Sequence, residues 1–233
     1  TGANALNRLV DAGIDAENPR TAGRQIPKGE IGKKETLLFV IACFLVMVIS
    51  ASQLNLLCLL LSPAALFLMT VYSYTKRFTW ACHLVLGITC ACAPVGAWLS
   101  VTGKFTLVPL LFGAANCLWT AGFDIIYGSQ DYEFDKVNGL HSIPVRFGVK
   151  GGLKISSLFH AAALLCLCAA GVLLYPQFGV IYAAGLGIIA VLMVIQHKMV
   201  SPDCLDNVNI ASYSISQITS LVLLVFGVLD VYL

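Results

Sequence analysis

The charges in this 233-residue chain are spaced so that long stretches carry none. Between consecutive charged residues lie 40 residues from Thr36 to Thr75, 26 from Phe78 to Gly103, 19 from Phe105 to Phe123, 43 from Ile155 to His197 and 23 from Asn207 to Leu229. A helix that crosses hydrocarbon needs about 20 apolar residues at 1.5 Å rise each. The runs therefore hold two, one, one, two and one spans, and the expected fold is an all-α transmembrane helical bundle of about seven complete spans. Polar turns divide the double runs: Ser52-Gln53-Leu54-Asn55 in the first, and Tyr175-Pro176-Gln177-Phe178-Gly179 in the second, where Pro and Gly interrupt the helical pattern. Only 11% of residues are charged and 58% are apolar, against about 25% charged in a soluble domain. That excludes water-soluble, disordered and collagen-like classes, and a net charge of +2 is no footprint for nucleic acid.

Residues 1–10 read as the end of an earlier helix. The chain opens at Thr1 without a basic leader or a signal-type apolar core, so the expectation is one transmembrane domain over residues 1–233, truncated at its N-terminus. Laying the loops on alternating sides puts every Lys and Arg except Lys104 at one membrane face. The positive-inside rule makes that face cytoplasmic. Eleven of the 12 acids, all but Asp230, share it, and the rule does not account for carboxylates.

Seven of the nine cysteines fall inside expected spans and read as small packing residues. The Cys90/Cys92 and Cys166/Cys168 pairs, two apart on a helix, point to opposite faces and cannot chelate one metal. His83, His141, His160 and His197 are scattered near span ends, and solvated or interfacial roles are expected for them.

Two acidic constellations stand out. Asn7, Asp11 and Asp15 are spaced four and four, so on a continuing helix they share one face; Pro19 then ends the helix. Asp124, Tyr127, Asp131 and Asp135, at offsets of three, seven and eleven, return to one helical stripe. Carboxylates stacked this way repel, more strongly where water is scarce, so something positive must compensate. Oxygen-only ligands suit magnesium, which spends its remaining positions on water and substrate phosphate. Arg20 and Arg24 after the first motif, Lys76 and Arg77 at the end of a span, and Arg146 after the second motif supply cations suited to phosphate or carboxylate. Carboxylates, a metal and cations on one face, above a long apolar bundle, describe a site for a lipid diphosphate.

These residues resemble the UbiA-type superfamily of intramembrane aromatic prenyltransferases. Its Asn-x-x-x-Asp-x-x-x-Asp motif reads here as Asn7, Asp11 and Asp15, and its second Asp-rich motif as Asp124, Tyr127, Asp131 and Asp135. The similarity extends to Tyr72 through Lys76, the segment from Ala93 to Ala97 and the segment from Ser142 to Pro144. The stretch NPRTAGRQIPKG most resembles the branch that prenylates 4-hydroxybenzoate. The resemblance implies nine helices in the full-length family, and transfer of a polyprenyl group from its diphosphate to a ring carbon of an aromatic acid in ubiquinone or menaquinone biosynthesis. It implies magnesium held by Asn7, Asp11, Asp15, Asp124, Asp131 and Asp135. Arg20, Lys76 and Arg24 would hold diphosphate oxygens, Tyr72, Tyr127 and Tyr132 would flank the allylic cation, and Asp135 would withdraw the phenolic proton. Arg77 or Arg146 would take the acceptor's carboxylate. The expected setting is multi-pass, in a bacterial inner membrane, with the site at the cytoplasmic face. Relatives with naphthoate, heme, chlorophyll or homogentisate pathways share the design. A secondary transporter would call for acids at the midplane and an internal repeat, and no repeat is evident in the sequence.

Overall fold

A computed structural model describes residues 1–233. Ten α-helices and no β-sheet make up the chain: α1 (Gly2–Val10), α2 (Ala12–Glu17), α3 (Lys33–Leu54), α4 (Leu56–Thr75), α5 (Cys82–Thr102), α6 (Leu107–Gly128), α7 (Tyr132–Val137), α8 (Ile143–Leu173), α9 (Val180–Lys198) and α10 (Ile215–Tyr232). Seven helical segments are long and apolar enough to cross a membrane, which agrees with the seven spans expected from the five uncharged runs. In hydrocarbon every backbone polar group must find an internal partner, and a helix achieves this within each segment.

The expected turns are where the helices stop. Asn55, extended at φ −161° and ψ 166°, separates α3 from α4; its side-chain oxygen accepts from the Cys58 N–H at 2.9 Å, capping α4. Its amide nitrogen donates to the Leu99 carbonyl at 2.8 Å, tying that end of α4 to α5. Ser142 caps α8 by accepting from the Val145 N–H, with Pro144 in the first turn. Gly148, at φ 73° and ψ 161°, kinks α8 where no other residue would take that backbone easily.

Packing centres on α6, which lies against α5 on one side and α8 on the other. Ala115 and Trp119 of α6 join Ala163 and Leu167 of α8 and Tyr182, Ile189 and Met193 of α9 in one buried cluster. Small residues and polar links hold the helices close, as is usual in lipid, where apolar burial gives no net drive. A Cβ on Gly185 of α9 would meet the Phe226 Cβ of α10 at 2.6 Å. Ser156 of α8 donates to the Gly122 carbonyl at 2.6 Å, and Gln196 of α9 to the Ala211 carbonyl at 2.8 Å. The outer faces expose Leu38, Val46, Ile49, Leu60, Phe67 and Leu158, the surface a bilayer covers.

The alternation of helices gathers the ends of α2, α4, α6 and α9 with the starts of α3, α5, α8 and α10. Every acid except Asp230 lies at that end. Asp230 sits at the other, where it accepts from the Gly179 and Tyr182 N–H groups and caps α9 from a neighbouring helix.

Two expectations need correction. Neither acidic motif is one continuous helix. The first breaks at Asp11 (φ −90°, ψ 4°) between α1 and α2, and the second passes through a 3₁₀ turn, Ser129–Asp131, before α7. The histidines are not uniformly solvated either: His83 and His160 are buried. His160 packs against Trp119 and receives or donates a 2.9 Å hydrogen bond with His197.

Candidate active site

The breaks in the two motifs shape the site. A straight helix would carry its carboxylates steadily along one stripe, whereas a turn at Asp11 and another before α7 swing the last acid of each motif back over the bundle. The result is an open cavity at the charged end of the bundle. Asn7, Asp11, Asp15, Asp124, Tyr127, Asp131 and Asp135 all line it, with Arg20, Arg24, Tyr72 and Lys76. Ile14, Leu86 and Phe134 supply apolar wall. All four polar residues of the second motif and all three of the first therefore meet in one space.

Each carboxylate has its own positively charged or nitrogen partner. Asp11 accepts from Arg77 Nη2 at 2.9 Å and from Asn7 Nδ2 at 3.0 Å. Asp15 takes Arg24 Nη1 at 2.6 Å on both oxygens. Asp131 receives a two-pronged contact from Arg20, through Nε at 2.9 Å and through Nη2, and a third hydrogen bond from Asn18 Nδ2 at 2.9 Å. Lys76 Nζ lies 2.8 Å from Asp135 Oδ2, and Asp124 Oδ2 lies 2.7 Å from His83 Nδ1. The bidentate Arg20 fork is the strongest of these geometries. Arg20 also donates to the Tyr127 hydroxyl at 2.6 Å, with its guanidinium 4.9 Å over that ring.

The loop after α2 accomplishes much of this. Asn18 turns the chain out of α2, and its side-chain oxygen accepts the Arg20 N–H while its amide reaches Asp131. Thr21 donates to the Asp15 carbonyl at 3.1 Å. Arg20 and Arg24 are thereby aimed in different directions, one across to the second motif and one back to the first. Lys76 is placed at the end of α4, where its carbonyl accepts the His141 N–H at 2.7 Å.

Burial and charge set the ionisation of groups outside the spans. Burial pushes the Asp11 carboxyl above its ordinary value of 3.8, against the opposing pull of Arg77. For Lys76, burial opposes the charged form, yet the Asp135 charge leaves its ammonium above its ordinary 10.5. Burial also opposes the Arg20 charge, and the Asp131 hydrogen bonds outweigh it.

Some expected residues fall elsewhere. Arg77 stands behind the wall, occupied by Asp11 and by the Val10 and Ser73 carbonyls. Arg146 is exposed and borders a separate surface depression with Phe78, Trp80 and His141. Tyr132 is not among the cavity residues; its ring lies 5.5 Å from Lys136 Nζ. The Tyr72 hydroxyl donates to the Ala3 carbonyl at 3.2 Å, so Tyr72 fastens α4 to α1 as well as lining the cavity. Sequence reasoning passed over His83 and Asn18. Asn18 lies within the NPRTAGR stretch, and His83 lies seven residues after Lys76 at the same helix end as the acids; those positions were the available signals.

The lining donors are almost all oxygens. Five carboxylates face three lining cations, Arg20, Arg24 and Lys76, while Arg77 reaches Asp11 from behind the wall. Asp135 is buried with neither side-chain oxygen in a hydrogen bond, since Lys76 approaches outside hydrogen-bonding geometry. That chemistry fits a hard divalent cation. No three His, Cys, Asp or Glu side chains converge on one point; four of the lining acids are drawn to Arg or Lys and Asp124 to His83.

The chain matches the UbiA prenyltransferase family over residues 1–218. It belongs to that family. Among its relatives are the 4-hydroxybenzoate octaprenyltransferases of Shewanella pealeana, 32% identical over 181 residues, and of Shewanella sp. ANA-3, 33% identical over 181 residues. Each alignment covers 78% of this chain and 62% of the relative, so the chain spans under two thirds of the length of the curated relatives it matches. The apo structure of a UbiA homolog from Aeropyrum pernix K1 superposes with a TM-score of 0.88 at 32% identity, covering 98% of this chain and 84% of that one. A UbiA homolog from Archaeoglobus fulgidus bound to GPP and Mg2+, 22% identical, shares the fold at a TM-score of 0.63 over 100% of this chain and 83% of its own. The UbiA fold thus accounts for the seven spans and for the acidic motifs sharing one cavity.

Proposed function

We propose that this UbiA-family chain carries the site for magnesium-dependent transfer of a polyprenyl group from its diphosphate to a ring carbon of an aromatic acid such as 4-hydroxybenzoate, in quinone biosynthesis. The observation that carries the reading is the cavity of paired carboxylates and cations at the end of an apolar helix bundle. Polar residues of both motifs line it, and Ile14, Leu86 and Phe134 add apolar wall. The named activity of the Shewanella relatives and the ligands of the Archaeoglobus homolog support the same chemistry.

Asn7, Asp11, Asp15, Asp124, Asp131 and Asp135 are the residues that would hold magnesium. When bound, the metal supplies charge neutralisation for the departing diphosphate. Arg20, Arg24 and Lys76 bind diphosphate oxygens by exchanging a carboxylate partner for a phosphate one, so each cation is preorganised before substrate arrives. Arg is suited to two oxygens at once, and Lys76 acts as a point charge. Tyr127, held by Arg20, presents its ring to an allylic cation, and the apolar wall limits water that would quench it. The acceptor ring then forms its new carbon–carbon bond, with a second-motif carboxylate taking the proton. The excess of basic residues at this end supports a cytoplasmic orientation in an inner membrane.

The deciding assay supplies purified protein in liposomes with magnesium, a radiolabelled polyprenyl diphosphate and a panel of aromatic acids. Label on the ring of one acid is the expected result. Absence of label from every acid, with binding of the diphosphate retained, would reassign the acceptor.

A further inference from the structure

His83 is the residue of the cavity that the two motifs leave unexplained. It stands at the start of α5 and is only 4% exposed. Its Nδ1 lies 2.7 Å from Asp124 Oδ2, and a carboxylate can only accept, so the shared hydrogen belongs on Nδ1. That contact fixes the ring. The other nitrogen, Nε2, is buried and has no hydrogen-bond partner, although His83 lines the cavity. Gly128, one turn beyond Asp124, lets α6 pass close to the ring; a Cβ there would stand 3.0 Å from His83 Cε1. A buried polar atom left without a partner is unfavourable, and such atoms in a cavity wall are commonly completed by a ligand.

The position of the pair narrows what that ligand is. Asp124 is the first acid of its motif, four residues before the end of α6. By helical rise it lies about 6 Å inside that end. Asp11, Asp15, Asp131 and Asp135 are engaged by Arg and Lys, whereas Asp124 alone is engaged by an imidazole. The Arg and Lys groups suited to diphosphate are thus committed to the other four acids. An anchored ring with one unpartnered nitrogen suits a neutral hydroxyl group better than a polyanion.

We propose that His83 is a binding residue for the acceptor: Asp124 holds the ring through Nδ1, and Nε2 hydrogen-bonds the acceptor's ring hydroxyl. The proposal rests on the aromatic-acid reading above. It assigns this hydroxyl a partner in the wall, and it makes Asp124 a positioning residue for His83 in addition to a motif acid.

The test measures binding without turnover. Purified protein is loaded with magnesium and the thiolodiphosphate analogue of geranyl diphosphate, and affinities for 4-hydroxybenzoate and for benzoate, which lacks the hydroxyl, are determined by calorimetry. Wild type is expected to prefer 4-hydroxybenzoate by about tenfold or more, the worth of one buried hydrogen bond. His83→Ala should bind both acids equally. His83→Asn keeps a donor for Asp124 and lacks the Nε2 position, so it should still bind the diphosphate analogue while losing the preference. That separates contact with the hydroxyl from support of Asp124. Retention of the wild-type preference in His83→Asn would overturn the proposal. So would equal binding of both acids by a wild type that transfers prenyl groups, or failure of both variants to fold, which would make His83 a packing residue. Wild type that binds the analogue but neither acid would instead overturn the acceptor reading on which the proposal rests.

Discussion

The two acidic motifs solve the same backbone problem in the same way and then diverge. Each places its central acid at a helix break, Asp11 at φ −90° and ψ 4° and Asp131 at φ −93° and ψ 5°, and each continues in a six-residue helix. The last acid, Asp15 or Asp135, follows four residues later. Their partners differ. Asp15 is served by Arg24 from its own loop, nine residues away, whereas Asp131 is served by Arg20 and Asn18 from the other motif's loop, 111 and 113 residues away. Asp135 depends on Lys76 at the end of α4. The first motif neutralises its last acid from its own loop and takes Arg77 from beyond α4 for Asp11, whereas every acid of the second motif is partnered from elsewhere in the bundle. The loop from Asn18 to Arg24 is therefore the element that joins the two halves of the site.

Removing an acid should have the largest effect. Asp131→Ala is expected to lower prenyl transfer by about a hundredfold or more, the scale of losing one preorganised charge, with Asp11→Ala similar; retained turnover in either would remove the metal reading. Exchanging the loop cations should separate the motifs. Arg20→Ala leaves Asp131 buried without its fork and should destabilise the protein by about 3 kcal/mol, the lower end for breaking a buried pair, read as a lower melting temperature. Arg24→Ala, whose partner Asp15 lies nine residues back in the adjoining helix α2, should destabilise less; equal losses would refute the asymmetry.

Lys76→Ala should weaken binding of a diphosphate analogue by about tenfold, as expected for a charge-assisted contact of about 1.5 kcal/mol or more. An unchanged affinity would take Lys76 out of diphosphate recognition. The pH response should be subtler. Burial raises Asp11 above 3.8, so protonation of Asp11 begins at a higher pH than for an ordinary carboxylate as the solution is acidified. Only the ionised form accepts a metal, so magnesium affinity should begin to fall at that higher pH, and Asp11→Asn should remove that upper part of the profile. The smallest effect belongs to Arg146→Ala. Arg146 lies outside the cavity, and transfer should remain within about twofold of wild type; a large loss would bring Arg146 back into acceptor binding.

Much of the architecture was legible in the chain because it rests on local properties. The lengths of the uncharged runs set the seven spans, and Asn55 and the segment from Tyr175 to Gly179 mark their breaks. The motif spacings brought Asn7, Asp11, Asp15, Asp124, Tyr127, Asp131 and Asp135 to notice, and all line one cavity. The helix breaks at Asp11 and Ser129 were not legible, since spacing of three and four looks the same whether or not a turn intervenes. Nor was His83, because one histidine at a span end carries no periodicity.

Hydrophobic length and charge placement along the chain determined that this protein spans a bilayer, and that its acids gather at one end, because a helix needs a set number of apolar residues to cross hydrocarbon. Which cation meets which carboxylate was decided by the packed bundle. Arg20 with Asp131, Arg77 with Asp11, Lys76 with Asp135 and His83 with Asp124 are all separated by more than 40 residues in the chain. Helix packing and the turn at Asn18 bring them within hydrogen-bond or ion-pair reach, and no local pattern encodes such a distance.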